Sequence, residues 1–151
     1  MARVYRTYRL AIETKYFIDS LLTAQSEKLF QRKGLQEEVE TEIYKVFSDS
    51  LKGVAINLSL NVSTGSIIDW AISDFKDVDM EEFITLGNEV AKIEIPKDYS
   101  SCVTPKLLIN EDTVETIEQL QFRLRGENPR VPIAPYIIKI AMFKLYKQEI
   151  M

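Results

Sequence analysis

The chain has 151 residues, 46% hydrophobic and 28% charged, with five glycines and five prolines; these are ordinary globular proportions, and a domain of this length buries roughly 70% of its unfolded surface. It holds no histidine and a single cysteine, Cys102, which excludes Ser-His-Asp and Cys-His catalysis, zinc bound by Cys and His, and an internal disulfide. The net charge of −4 is unevenly placed: residues 1–33 carry seven Lys or Arg against three Asp or Glu, residues 34–120 six against eighteen, and residues 121–151 six against two. Basic ends around an acidic middle suit nucleic acid at one surface, head-to-tail self-association, or pairing of the ends with the middle inside one fold.

The chain opens without an apolar run behind a basic cluster, and no apolar stretch approaches the roughly 18 residues of a membrane span. Neither a leader nor a membrane helix is expected, and the cytoplasm is the default location. Over residues 7–33 the spacing of Leu10, Thr14, Phe17, Leu21 and Ala24 predicts a long helix. Lys28, Arg32 and Lys33 complement its dipole, and Gly34 is placed to stop it. A second helix over 35–52 follows, with Leu35, Val39, Ile43, Val46, Phe47 and Leu51 as its apolar stripe.

After Gly53 the pattern turns to alternation. Val54, Ile56, Leu58, Leu60 and Val62 predict a strand, and a Ser63-Thr64-Gly65 loop would pair it with Ile68, Trp70 and Ile72 as a hairpin. Asp79 and Glu82 form a capping box for a helix over 80–91. Short extended segments are expected at 92–95 and 106–109. Val114, Ile117, Leu120 and Leu124 favour a helix over 112–125 against a competing strand pattern at 120–125. Pro129, Pro132 and Pro135 suggest a stiff extended connector that could also serve as a PxxP docking motif. The last helix, 135–149, is apolar almost all round, so it is either buried on several sides or shared with a partner. The expected fold is α+β, a single domain over 1–151 whose helical body (7–52 and 112–149) carries a small β-hairpin-containing insertion at about 54–110.

Catalytic and metal chemistry find little purchase. The acidic run Asp74–Glu82 lacks the loop glycine and terminal glutamate of a calcium site and reads as a turn entering a capped helix. No Gly-x-Ser-x-Gly elbow, Ser-x-x-Lys lead or phosphate-binding glycine loop occurs. Neither a metal nor a cofactor is expected, and the chain is not expected to be an enzyme.

The basic ends carry the candidate binding residues. Arg3, Arg6 and Arg9 recur every third residue with Tyr5 and Tyr8 between them, at the start of the predicted helix where positive charge opposes the dipole. Arg123 and Arg125 form a second cluster, with Arg130 and the lysines of the last helix. These arginines suit backbone phosphates, while Tyr5, Tyr8, Ile138 and Met142 suit a protein partner. In predicted architecture, length and basic helical ends, the paired-helix start, the strand insertion at Val54–Ser73 and the helical return at Pro135–Gln148 resemble the small subunit of archaeal type I CRISPR surveillance complexes. The resemblance implies a non-catalytic subunit that helps hold RNA or displaced DNA while packing against neighbouring subunits. The alternative is a protein-only interaction module, such as a viral or phage accessory protein, using the C-terminal helix or the hairpin face, with self-association among its options.

Overall fold

A computed structural model describes residues 2–151. Among them the element order is β1 (Arg3–Thr7), α1 (Ile12–Gln31), α2 (Leu35–Val46), α3 (Thr64–Phe75), α4 (Met80–Val90), β2 (Lys106–Asn110), α5 (Glu111–Arg123) and α6 (Ala134–Glu149). The fold is α+β and mainly helical. By contacts the chain divides into two compact units, one of residues 1–22 and 63–151 and one of Thr23–Val62.

The first unit is built around α6. Ile137, Ile138, Ile140, Ala141, Met142, Phe143 and Leu145 are all buried, so the helix that is apolar all round is a central one. Helices α3, α4 and α5 pack against it, and from α1 the Phe17 ring meets Phe143 at 5.5 Å. Asp79 accepts from the Glu82 N–H at 2.7 Å, as its cap position predicts. The helix expected over 112–125 is present as α5.

Two expectations fail, each for a physical reason. The predicted hairpin is absent: residues 64–75 are α3, with Ser63 and Ser66 exchanging side-chain-to-backbone bonds as its capping box. Ile67, Ile68, Ala71, Ile72 and Phe75 then face the core together, at a helical spacing that alternation of Ile68, Trp70 and Ile72 had disguised. Trp70 is half-buried on that helix. The second failure is at the N-terminus, where residues 3–7 form a strand.

The sheet is the antiparallel pair β1–β2, with Arg3 opposite Asn110, Tyr5 opposite Leu108 and Thr7 opposite Lys106. The Leu10–Val103 bridge continues the same register. Val4, Tyr5 and Thr7 favour strand geometry, and the partner lies about a hundred positions away, beyond any local pattern. Gly65 brings α3 against the backbone of β2, where a β-carbon would overlap the Leu108 carbonyl oxygen.

In the second unit α2 ends at Val46, short of the expected Lys52, and Phe47–Gly53 is a run of bends and turns. Gly34 adopts φ 80°, the left-handed conformation expected of a helix stop. Residues 54–62 form no helix, strand or turn.

Candidate functional site

On a strand, successive side chains alternate between faces. Arg3 and Arg6 therefore point to opposite sides of the sheet and do not form the stripe that helical spacing had suggested. Arg3 Nη2 donates to the Leu108 carbonyl at 2.6 Å and to Asp69 Oδ2 at 3.3 Å. Asp69, its side chain 13% exposed, also accepts the Asn110 N–H at 3.0 Å and the Thr113 hydroxyl at 2.6 Å. This one carboxylate joins α3, β1, β2 and α5.

Arg123 is held in the same manner. It donates to the Val78 carbonyl and, at 2.5 Å, to that of Lys76, satisfying groups left open at the C-terminal end of α3. Arg125 bonds the Asn128 carbonyl at 2.7 Å, and Arg6 the carbonyl of its neighbour Tyr5 at 2.9 Å. Arg9 is exposed and makes no hydrogen bond of this kind among the described residues. The two arginine clusters both reach α3, seven residues apart at Asp69 and Lys76, a separation of about 10 Å along a helix.

The lysines of α6 pair inward too: Lys139 with Glu13 at 3.7 Å, Lys144 with Glu82 at 2.9 Å and Lys147 with Glu89 at 2.5 Å. Arg3–Asp69, Lys144–Glu82 and Lys147–Glu89 thus pair the basic ends with the acidic middle inside the first unit.

Among the partner residues singled out from the sequence, Tyr5 is 59% exposed, with the Lys106 ammonium 4.5 Å from its ring centre. Tyr8 is half-buried, and burial chiefly raises its pKa, with Arg6 opposing and Glu118 adding to the rise. Ile138 and Met142 are a correction. Both are fully buried in the core around α6, because the surplus apolar surface of that helix is covered by α3, α4 and α5.

The acidic run Asp74–Glu82 divides between cap and ion pair, Asp79 closing α4 and Glu82 meeting Lys144. Among the described residues no group of three or more Cys, Asp or Glu side chains converges as metal ligands would. Elsewhere in this unit, the Tyr99 hydroxyl donates to Asp19 at 2.7 Å, and that bond, with burial, pushes the phenol to about 12.

The surface that sequence reasoning missed lies in the second unit. No residue of Thr23–Val62 is buried, although α2 is amphipathic. Its stripe of Leu35, Val39, Ile43, Val46 and Phe47 lines an open groove of 420 Å³, rimmed by Arg32, Glu38 and Glu42. Val46 is 71% exposed and Phe47 53%. A second groove, of 550 Å³, runs between the end of α1, the start of α2 and residues 59–62, with Leu29, Leu35, Val39, Leu60 and Val62 in its walls.

The segment 54–62 that forms one wall is held at one end. Val54 N–H donates to the Leu51 carbonyl, and the Tyr44 hydroxyl bridges the Val54 carbonyl and the Ile56 N–H at 2.8 and 3.1 Å. From Asn57 to Val62 the backbone makes no hydrogen bond among the described residues. A sequence signal for this surface exists: no charged residue stands between Lys52 and Asp69.

Comparison with family models, curated proteins and solved structures finds no match to this chain.

Proposed function

We propose that this chain is a non-catalytic assembly protein that works by binding another polypeptide along Thr23–Val62. The observation that carries the reading is a unit of about 40 residues with an amphipathic helix and no buried residue, whereas chains of that size normally need oligomerisation, a metal or disulfides to hold a fold. Covering one large apolar side chain contributes about 1.5–3 kcal/mol, so Val46, Phe47 and the groove behind them make a strong incentive for association. A contiguous exposed apolar patch with a charged rim is the usual mark of such a surface.

The test is a photo-reactive residue at Val46, with a control at the exposed Glu115 of α5, in cells expressing the full chain. The reading expects a discrete covalent adduct from position 46 that disappears in a Val39→Asp, Ile43→Asp background. No adduct, or one that survives those changes, contradicts it.

A second reading adds nucleic-acid backbone as a ligand of the first unit. One observation supports it: Arg6 and Lys106 stand exposed on the two faces of the β1–β2 ribbon, with the exposed Arg9 on its continuation. Affinity that falls steeply with salt is its signature.

A further inference from the structure

The segment Val54–Val62 points to its own partner. Its sequence, Val-Ala-Ile-Asn-Leu-Ser-Leu-Asn-Val, is close to a palindrome in side-chain character. Antiparallel pairing of two copies about Leu58 sets Val54 against Val62, Ile56 against Leu60 and Leu58 against itself. Ala55 then meets Asn61, and Asn57 meets Ser59. Every Val, Ile and Leu falls on one face of the ribbon, and Ala55 with every Asn and Ser on the other, which is the condition that pins a strand register.

The backbone is ready for such pairing. Asn57–Val62 lies in no helix, strand or turn, and its N–H and C=O groups are unbonded among the described residues. Proteins protect an unpaired strand with lysine, proline or inward charge; here neither a charge nor a proline occurs between Lys52 and Asp69. The flanking apolar faces supply the rest of an interface. Leu60 and Val62 share a groove with Leu29, Leu35 and Val39, and Val54 and Leu60 are 48% and 37% exposed.

We propose that the occupant of this surface is a second copy of the chain, joined through an isologous antiparallel pair of the 54–62 segments, each ribbon face continuing onto the apolar groove of its own second unit. A twofold contact of this kind is the commonest route to a closed homo-oligomer. The inference rests on the assembly reading above and names its partner. An uncharged segment selects a partner by register and shape, and an identical strand supplies both without a second gene product having to match it.

The test uses sedimentation velocity on the purified full chain together with directed cross-linking. Wild type is expected to dimerise with concentration, and Leu58→Lys, which sets two ammonium groups face to face on the twofold axis, is expected to weaken the dimer at least tenfold. A chain carrying both Asn57→Pro and Leu58→Pro, which removes a donor from each phase of the ladder, is expected to be monomeric with an unchanged helical circular dichroism. In a Cys102→Ser background, Leu58→Cys is expected to give a covalent dimer under mild oxidation, because like positions face one another within disulfide reach, and Ala55→Cys is expected to give little. A wild-type chain that stays monomeric at all concentrations, forms only heterogeneous aggregates, or dimerises unaffected by these changes overturns the inference. If it is monomeric while the residue at Val46 still yields an adduct with a different protein, this inference fails and the assembly reading stands.

Discussion

Arg3 and Asp69, 66 positions apart, meet at 3.3 Å, and the same guanidinium nitrogen caps the Leu108 carbonyl. The arginine that leads the N-terminal basic cluster therefore ties β1 to α3 and β2. Asp69 completes the junction by accepting from Asn110 and Thr113.

Asp69→Ala leaves a backbone N–H and a threonine hydroxyl without their acceptor and takes from the Arg3 guanidinium its ion-pair partner, the Leu108 carbonyl remaining. Unsatisfied groups of this sort cost about 1–3 kcal/mol each, not fully additively, so a loss of about 3 kcal/mol is expected in urea unfolding. Arg3→Ala, which leaves the other two bonds in place, is expected to cost less. Equal stabilities for Asp69→Ala and wild type would contradict the junction.

This arrangement changes how nucleic-acid binding has to be tested. Alanine at Arg3 or Arg123 damages the fold, so any lost affinity would be ambiguous. Arg6→Ala with Arg9→Ala is the clean variant. If the β1–β2 ribbon touches phosphates, anisotropy with single-stranded RNA shows that pair lowering the salt slope by about 1 for each lost contact. Absence of binding at low salt removes the second reading.

Two glycines of α3 and α4 separate steric cost from helix propensity. Alanine is about 1 kcal/mol better than glycine in a helix interior. At Gly65 the added methyl overlaps the rigid Leu108 carbonyl, and a net loss of about 2–4 kcal/mol is expected. At Gly87 it meets the end of the Tyr136 side chain at 2.6 Å, which can swing aside. Gly87→Ala is expected to lie within about 1 kcal/mol of wild type, and thermal unfolding of the two variants checks the order.

The Thr14 hydroxyl is buried without a hydrogen-bond partner among the described residues. Valine keeps the shape and removes the unmet polar group, so Thr14→Val is expected to be neutral or stabilising by about 1 kcal/mol. A loss above that size in chemical unfolding would show that the hydroxyl has a partner.

Tyr99 offers a pH test. Its phenol is raised to about 12, first by donation to Asp19 and then by burial. An unfolded tyrosine ionises near 10, so the folded state holds the proton longer. The Tyr99–Asp19 contribution is present below about pH 10 and is lost as the pH rises from there through about 12. Asp19→Asn is expected to return the Tyr99 titration, followed by NMR of labelled tyrosine rings, toward 10. An unchanged titration contradicts the bond.

The helices with strong local signals were legible in the sequence. Asp79 announced α4 through its cap and Gly34 marked a helix stop, while the all-apolar character of α6 left open whether it was buried on several sides or shared with a partner. Residues 64–75 were misread because Ile68, Trp70 and Ile72 satisfy both periods, and the deciding cap, Ser63 with Ser66, lacks the Glu or Gln of the usual box. Strand β1 was illegible for another reason: its partner β2 is distant, and tertiary pairing overrode local helical spacing. The alternation of 54–62 was read as a strand, but that segment forms no strand, because the residues 66–72 expected to pair with it belong to α3. The exposed groove of the second unit needed three dimensions, because an apolar stripe in a sequence does not say whether anything covers it.

Hydrogen exchange on the full chain, read at the amides of Asn57–Val62, tests the central claim most directly. The dilute chain is expected to exchange these amides almost as fast as an unstructured peptide, while the assembled form recovered intact from cells is expected to protect them strongly. Equally fast exchange in both forms would mean that Thr23–Val62 gains no cover on assembly, and the account of this unit as a binding surface would be wrong.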